Sequence, residues 1–297
     1  MGNYPCALQQ PDRVLSVYER TLPAEHPDRI MAMGYKANSL RDLCRIDESL
    51  ALFEAALKLG RQVLKEDSAD LLFLENGMAL TLGGLGLYKE EAEVYPRVIR
   101  AYERSPLFGP SHADTWKSRS NLGRALIIQG KFSEAIPLLR DTLAAFDGMG
   151  LGREHPLLGT IPQFYGKALL GAGRAAEAGP MFQRSIAFYE HKFGFHHYLI
   201  PDNLISLAEA YKQLGRGFGE RIALLDRAVA ICELSIGRDK EKYAELLAAA
   251  LEASASCFEE AGRLGEAEAL WAKCVAANTK ARRGFEFPAV GFLTCPL

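Results

Sequence analysis

The chain has 297 residues, 48% of them hydrophobic, with 35 Lys+Arg against 37 Asp+Glu and a formal net charge of -2. So even a balance supplies no bulk field for nucleic acid or an anionic membrane surface, and no run approaches the roughly 18 apolar residues a membrane helix needs. The start, Met1-Gly-Asn-Tyr-Pro-Cys6, has neither the basic nor the apolar segment of a secretory signal, and Cys6 stands where a myristoylation pattern needs Ser or Thr. A cytoplasmic chain is expected.

Residues 1–25 precede the regular pattern. Within them Val14, Leu15, Tyr18 and Leu22 share one helical face, as in a partial repeat or capping helix. A repeat array over 26–283 follows. Its Glu-Ala pair, or a remnant of it, recurs as Glu48-Ser49, Glu91-Ala92, Glu134-Ala135, Glu177-Ala178, Glu220-Arg221 and Glu266-Ala267, at intervals of 43, 43, 43, 43 and 46 residues. Such spacing signals stacked units that each pack on their neighbours.

The pattern predicts six helical hairpins. The first has helices near 28–43 and 47–64; the second, Leu71–Leu85 and Lys89–Arg104. The third runs over 114–155, the fourth over 156–197, the fifth over 198–240 and the sixth over 241–283. Gly86, Gly130, Gly173, Gly215 and Gly262 mark the turn within five of them, and Cys44 stands at the same place in the first. Glycine fits there because the residue after a helix end often turns left-handed.

Small residues recur seven before each turn (Ala37, Ala79, Gly123, Gly166, Ala208, Ala255), and Ala135, Ala178 and Ala267 five after it. They admit the partner helix, while bulky residues such as Phe53, Leu139 and Phe182 fill the space between. Connectors carry His26-Pro27, His112-Ala113, His155-Pro156 and His196-His197. Successive repeats set these histidines too far apart to share a metal, whose His ligands sit ~2 Å away; only His191, His196 and His197 could cluster. The cysteines show no metal-type spacing, and those in helical patterns are read as small apolar groups. The fifth turn is enlarged (Gly215-Arg-Gly-Phe-Gly219), the connector after it is long, and residues 284–297 form an apolar, non-helical tail expected to lie over the last hairpin.

The run Ser120-Asn-Leu-Gly-Arg-Ala-Leu-Ile-Ile-Gln-Gly-Lys-Phe-Ser-Glu-Ala-Ile-Pro-Leu-Leu139 resembles the tetratricopeptide repeat, in Leu122-Gly123, the Gly130 turn and Ala135. The long period, the His-Pro connectors and Tyr88-Lys-Glu-Glu-Ala92 resemble the kinesin-light-chain variant. The resemblance covers about residues 26–283 and implies an all-α fold: an α-solenoid, a right-handed superhelix of about six antiparallel hairpins whose first helices line a concave groove. It implies peptide or protein binding in that groove.

Counting back from each turn gives the groove positions Asn38, Arg41, Asn76, Lys117, Ser120, Asn121, Arg124, Gln163 and Lys167, followed by Glu209, Lys212, Gln213, Glu252, Glu259 and Glu260. In the variant, asparagines matching Asn76 and Asn121 hold the backbone of an extended peptide, which an amide can do because it both donates and accepts hydrogen bonds. The basic part of the groove, centred on Lys117, Arg124 and Lys167, is expected to receive an acidic segment. A non-catalytic scaffold or adaptor is the expected function, a regulatory sensor of a small peptide the alternative. Catalysis is the least favoured reading: no phosphate loop, nucleophile elbow or metalloprotease signature is present, and pairs such as Glu90-Glu91 and Glu259-Glu260 read as solvated charges. No cofactor, metal or nucleic-acid partner is expected.

Overall fold

The structure, a computed structural model, describes residues 4–149, 155–235 and 240–282. Thirteen α-helices and no strand occur among the described residues. They fall into two compact units, one up to Lys131 and the other from Phe132 onward. The tail 284–297 and most of the long connector after residue 235 lie outside the described residues.

Unit 1 contains α1 (Tyr4–Thr21), α2 (Pro27–Asp42), α3 (Ile46–Val63), α4 (Ala69–Gly84), α5 (Tyr88–Arg104) and α6 (Ala113–Ile128). Each packs on the next, and first helices also touch: α2 meets α4, and α4 meets α6. Helix α1 begins earlier than the periodicity indicates, and its buried face is narrower. Leu15 is buried, while Val14 is 43% exposed although both were placed on one apolar face.

Unit 2 contains α7 (Phe132–Gly148), α8 (Leu157–Gly171), α9 (Ala175–Phe193), α10 (Leu199–Gln213), α11 (Phe218–Ser235), α12 (Lys240–Glu260) and α13 (Leu264–Arg282). Its core runs without a break from Leu169 and Phe182 through Leu204 and Ile231 to Leu251 and Cys274. Each unit is an all-α stack of helical hairpins of the solenoid kind.

The turns explain why the helices stop where they do. Gly86, Gly130, Gly173, Gly215 and Gly262 all have positive φ, from 67 to 78°. In each turn the following amide reaches back to close the helix, as Leu87 N–H to Leu82 O (3.0 Å) and Arg174 N–H to Leu169 O (2.9 Å). Cys44 makes the same turn with φ 59°, and Arg45 N–H closes it onto Leu40 O at 2.9 Å. Cys44 is therefore a turn residue held in a conformation that disfavours side chains, not a helical apolar one. Cys232, Cys257 and Cys274 are buried, and burial pushes the Cys232 thiol up to about 12.

The small positions are where helices cross. Ala37, Ala79, Ala135 and Ala178 are fully buried. At Gly166 an added Cβ would come 2.8 Å from the Phe182 ring, so that crossing excludes any side chain.

Candidate functional site

Three first helices of unit 1 carry the expected binding residues. Asn38 and Arg41 lie on α2, Asn76 on α4, and Lys117, Asn121 and Arg124 on α6. Asn38, Asn76 and Asn121 are all half-buried. Asn76 Oδ1 accepts from Ser118 Oγ at 3.3 Å, which ties α4 to α6. Asn121 hydrogen-bonds the hydroxyl of the fully buried Tyr95. Lys117 stands 3.5 Å from Asp114 on its own helix. Arg41 donates from Nη2 to Asp42 at 3.2 Å.

Arg124 does not present its charge outward. Its side chain is 11% exposed and meets Glu91, itself 0% exposed, at 2.5 Å. The cause lies in the phase of the repeat. Glu91 follows Gly86 by five residues, as Ala135 follows Gly130, so Glu91 rather than Ala92 fills the small-residue position of the second hairpin. The neighbouring helix gives way to it at Gly83, where an added Cβ would sit 2.5 Å from Glu91 Oε2 and 2.8 Å from Arg124 Nη2. Burial raises the Glu91 carboxyl to about 7, against the pull of Arg124 and the Tyr95 hydroxyl. Reading Glu91 as a solvated charge is corrected accordingly.

A second buried carboxylate, Glu75 on α4, is 2% exposed and is met by Arg61 at 3.4 Å and by Arg97. Periodicity alone missed both acids. For Glu91 the signal was available in the count from Gly86; for Glu75 only the arginines on adjacent helices identify its role.

In unit 2, Gln163 and Lys167 of α8 converge on Asp202 of α10. Gln163 is nearly buried and donates to Asp202 Oδ2 at 2.6 Å, while Lys167 Nζ reaches both carboxylate oxygens at 2.9 and 2.7 Å. Glu259 and Glu260 of the last hairpin are engaged as well. Glu260 receives Lys212 at 2.6 Å and Arg221 at 2.7 Å, and Glu259 accepts from the Trp271 indole at 2.8 Å. The expected division into a basic and an acidic stretch is thus largely absorbed by pairing within each unit.

The connector histidines also have a structural task. Nδ1 of His26, His112, His155 and His197 accepts the backbone N–H two residues on, at 3.2 to 3.4 Å, satisfying an amide that the helix start leaves open. The ring of His197 also stacks on Phe193 and Tyr189. Among the described residues no three His, Cys, Asp or Glu are placed to hold a metal ion, and no helix is long and apolar enough to cross a membrane.

Residues 29–70 and 117–145 match the tetratricopeptide repeat family. Those two stretches have the sequence pattern of tetratricopeptide repeats. No curated protein matches it in sequence. Among solved structures, the nearly identical TPR-like repeats of a putative kinesin light chain from Podosopora anserina superpose with a TM-score of 0.57 at 21% identity, over 72% of this chain and 99% of that one. BtubC (BKLC) from P. vanneervenii gives 0.65 at 14% identity, over 85% and 98%. A Rap protein complexed with Competence and Sporulation Factor gives 0.60 at 10% identity, over 93% and 86%. These likenesses establish the fold, an all-α array of helical hairpins.

Proposed function

We propose that the protein is a non-catalytic interaction scaffold whose first helices in unit 1 hold an extended segment of a partner protein. The observation that carries this reading is the trio of half-buried amides, Asn38, Asn76 and Asn121, on helices α2, α4 and α6, of which α4 touches both of the others. An amide can pair with the N–H and C=O of an extended chain whatever side chains that chain bears. Recognition through backbone then provides adhesion, and neighbouring positions provide selectivity.

The charged residues play a smaller part than their number suggests. Arg124 answers Glu91, and Lys167 answers Asp202. Lys117, 31% exposed, remains as the cation through which an acidic segment gains affinity. The similarly folded Rap protein above was solved complexed with a factor.

Selection of peptides from a random library on the wild-type chain tests the reading. Asn76→Ala and Asn121→Ala should each weaken the selected peptides by roughly fivefold or more, the effect of losing about 1 kcal/mol of hydrogen bonding. Lys117→Ala should weaken acidic peptides selectively. Unaltered affinities in both asparagine variants would overturn the proposal.

A further inference from the structure

Unit 1 has a second concavity, which the amides do not line. Between α1 and α2, reaching the start of α4, lies an open cleft of about 470 Å³. Val14, Tyr18, Met31 and Tyr35 form its apolar surface. Tyr35 is 55% exposed and Val14 43% exposed, so two large apolar side chains stand at the surface side by side. The Tyr35 ring is braced by Phe73, with centroids 5.0 Å apart, and so forms a preset wall. Contiguous exposed apolar surface of this kind marks interaction sites more often than single exposed residues do.

The rim is acidic. Asp28 and Asp70, each the second residue of its helix, line the cleft, and among the described residues neither lysine nor arginine does. Lys36, on α2, is engaged by Asp12 at 2.8 Å. The Asp28 carboxylate lies 3.8 Å from the His26 imidazole. An apolar cleft lined by two carboxylates fits a ligand of complementary kind, and it repels an anionic lipid surface.

We propose that this cleft is a separate docking site for a partner-protein segment that carries one bulky apolar side chain beside a lysine or arginine. The apolar group lies against Val14, Met31 and Tyr35, and the cation stands between Asp28 and Asp70. The amides of α2, α4 and α6 are not needed for this contact, so it stands or falls independently of them.

The probe is a short fluorescent peptide with a central Trp flanked by lysines, compared with the same peptide carrying Glu for Lys or Ala for Trp. Anisotropy should show binding of the Trp-Lys peptide, and a loss on the order of tenfold for either altered peptide. Val14→Lys at the surface and Asp70→Asn, a near-isosteric change at a half-buried site, should each reduce affinity by a similar factor without changing the melting temperature. Leu107→Ser, which removes a 76% exposed apolar residue elsewhere in unit 1, should leave it unchanged. Equal binding of the Lys and Glu peptides, or insensitivity to Val14→Lys, overturns the proposal. So does wild-type self-association, by sedimentation, that Val14→Lys abolishes, which would make a second copy the occupant. Binding only after residues 284–297 are removed overturns it too, since the occupant would then be the chain's own tail.

Discussion

The second helices α5 and α9 hold different residues at one and the same place. Five residues after its turn, α9 has Ala178, fully buried with nothing to satisfy; α5 has Glu91, equally buried, with an arginine and a tyrosine hydroxyl arranged around it. The alanine gains stability from close packing. The glutamate has to recover the cost of leaving water from its partners, and burial still outweighs them, since its carboxyl is raised to about 7. A hairpin stack thus tolerates a charge at its tightest point when the adjoining helices supply both a counter-charge and a glycine. The arginine that supplies the counter-charge is thereby held inward, 11% exposed.

The largest effect should come from removing that arginine. Arg124→Leu leaves Glu91 buried and unpaired, and should destabilise unit 1 by about 3–5 kcal/mol in urea unfolding. The exposed pair Arg174–Glu177 on α9, broken by Arg174→Ala, should leave the transition essentially in place. Equal responses would erase the distinction between the two helices.

Glu91 also predicts a pH dependence. With its carboxyl raised from 4.5 to about 7, the folded chain keeps a proton that the unfolded chain releases above 4.5. This contribution to stability is therefore full below 4.5 and is lost as pH rises through 7. Between pH 5 and 8 unit 1 should lose on the order of 1–3 kcal/mol from this group, and Glu91→Gln should flatten the profile. A wild-type profile that rises with pH over this range would contradict the assignment.

Overpacking the alanine position probes the other helix. Ala178→Trp should destabilise unit 2 by about 1–3 kcal/mol, and Ala135→Trp should behave alike, being just as buried. The smallest effect belongs to the turns. Cys44→Gly relieves a side chain held at φ 59° and should raise stability by about 1 kcal/mol, read as a higher urea midpoint; an unchanged or lower midpoint would show the left-handed turn to be unstrained.

Much of the fold was legible in the sequence because its signals are local. Gly86, Gly130 and Gly173 announce a left-handed residue, and the paired Ala and Phe positions announce a close crossing. The helix bounds of the first two hairpins lie within about two residues of the expected ones. The site was less legible, because the count that places Arg124 on a groove-facing position does not reveal what stands behind it. Glu91 is 33 residues away in sequence, and Asp202, which holds Lys167, is 35 away. A groove position estimated from periodicity gives a direction; whether a charge is available there depends on partners that only packing brings near. The histidines show the same limit. Their period was plain, but their task as acceptors for the first amides of a helix emerged from Nδ1 distances.

We propose that the amides of α2, α4 and α6 recognise a partner while the Glu91–Arg124 pair only holds the stack. The most direct test is the paired replacement Glu91→Leu with Arg124→Met, which removes both charges and keeps apolar bulk. Its affinity for peptides selected on the wild type should be unchanged within about twofold, a difference below 0.5 kcal/mol, and the variant should be at least as stable. A folded variant whose affinity falls tenfold or more would contradict the claim and return Arg124 to the binding surface.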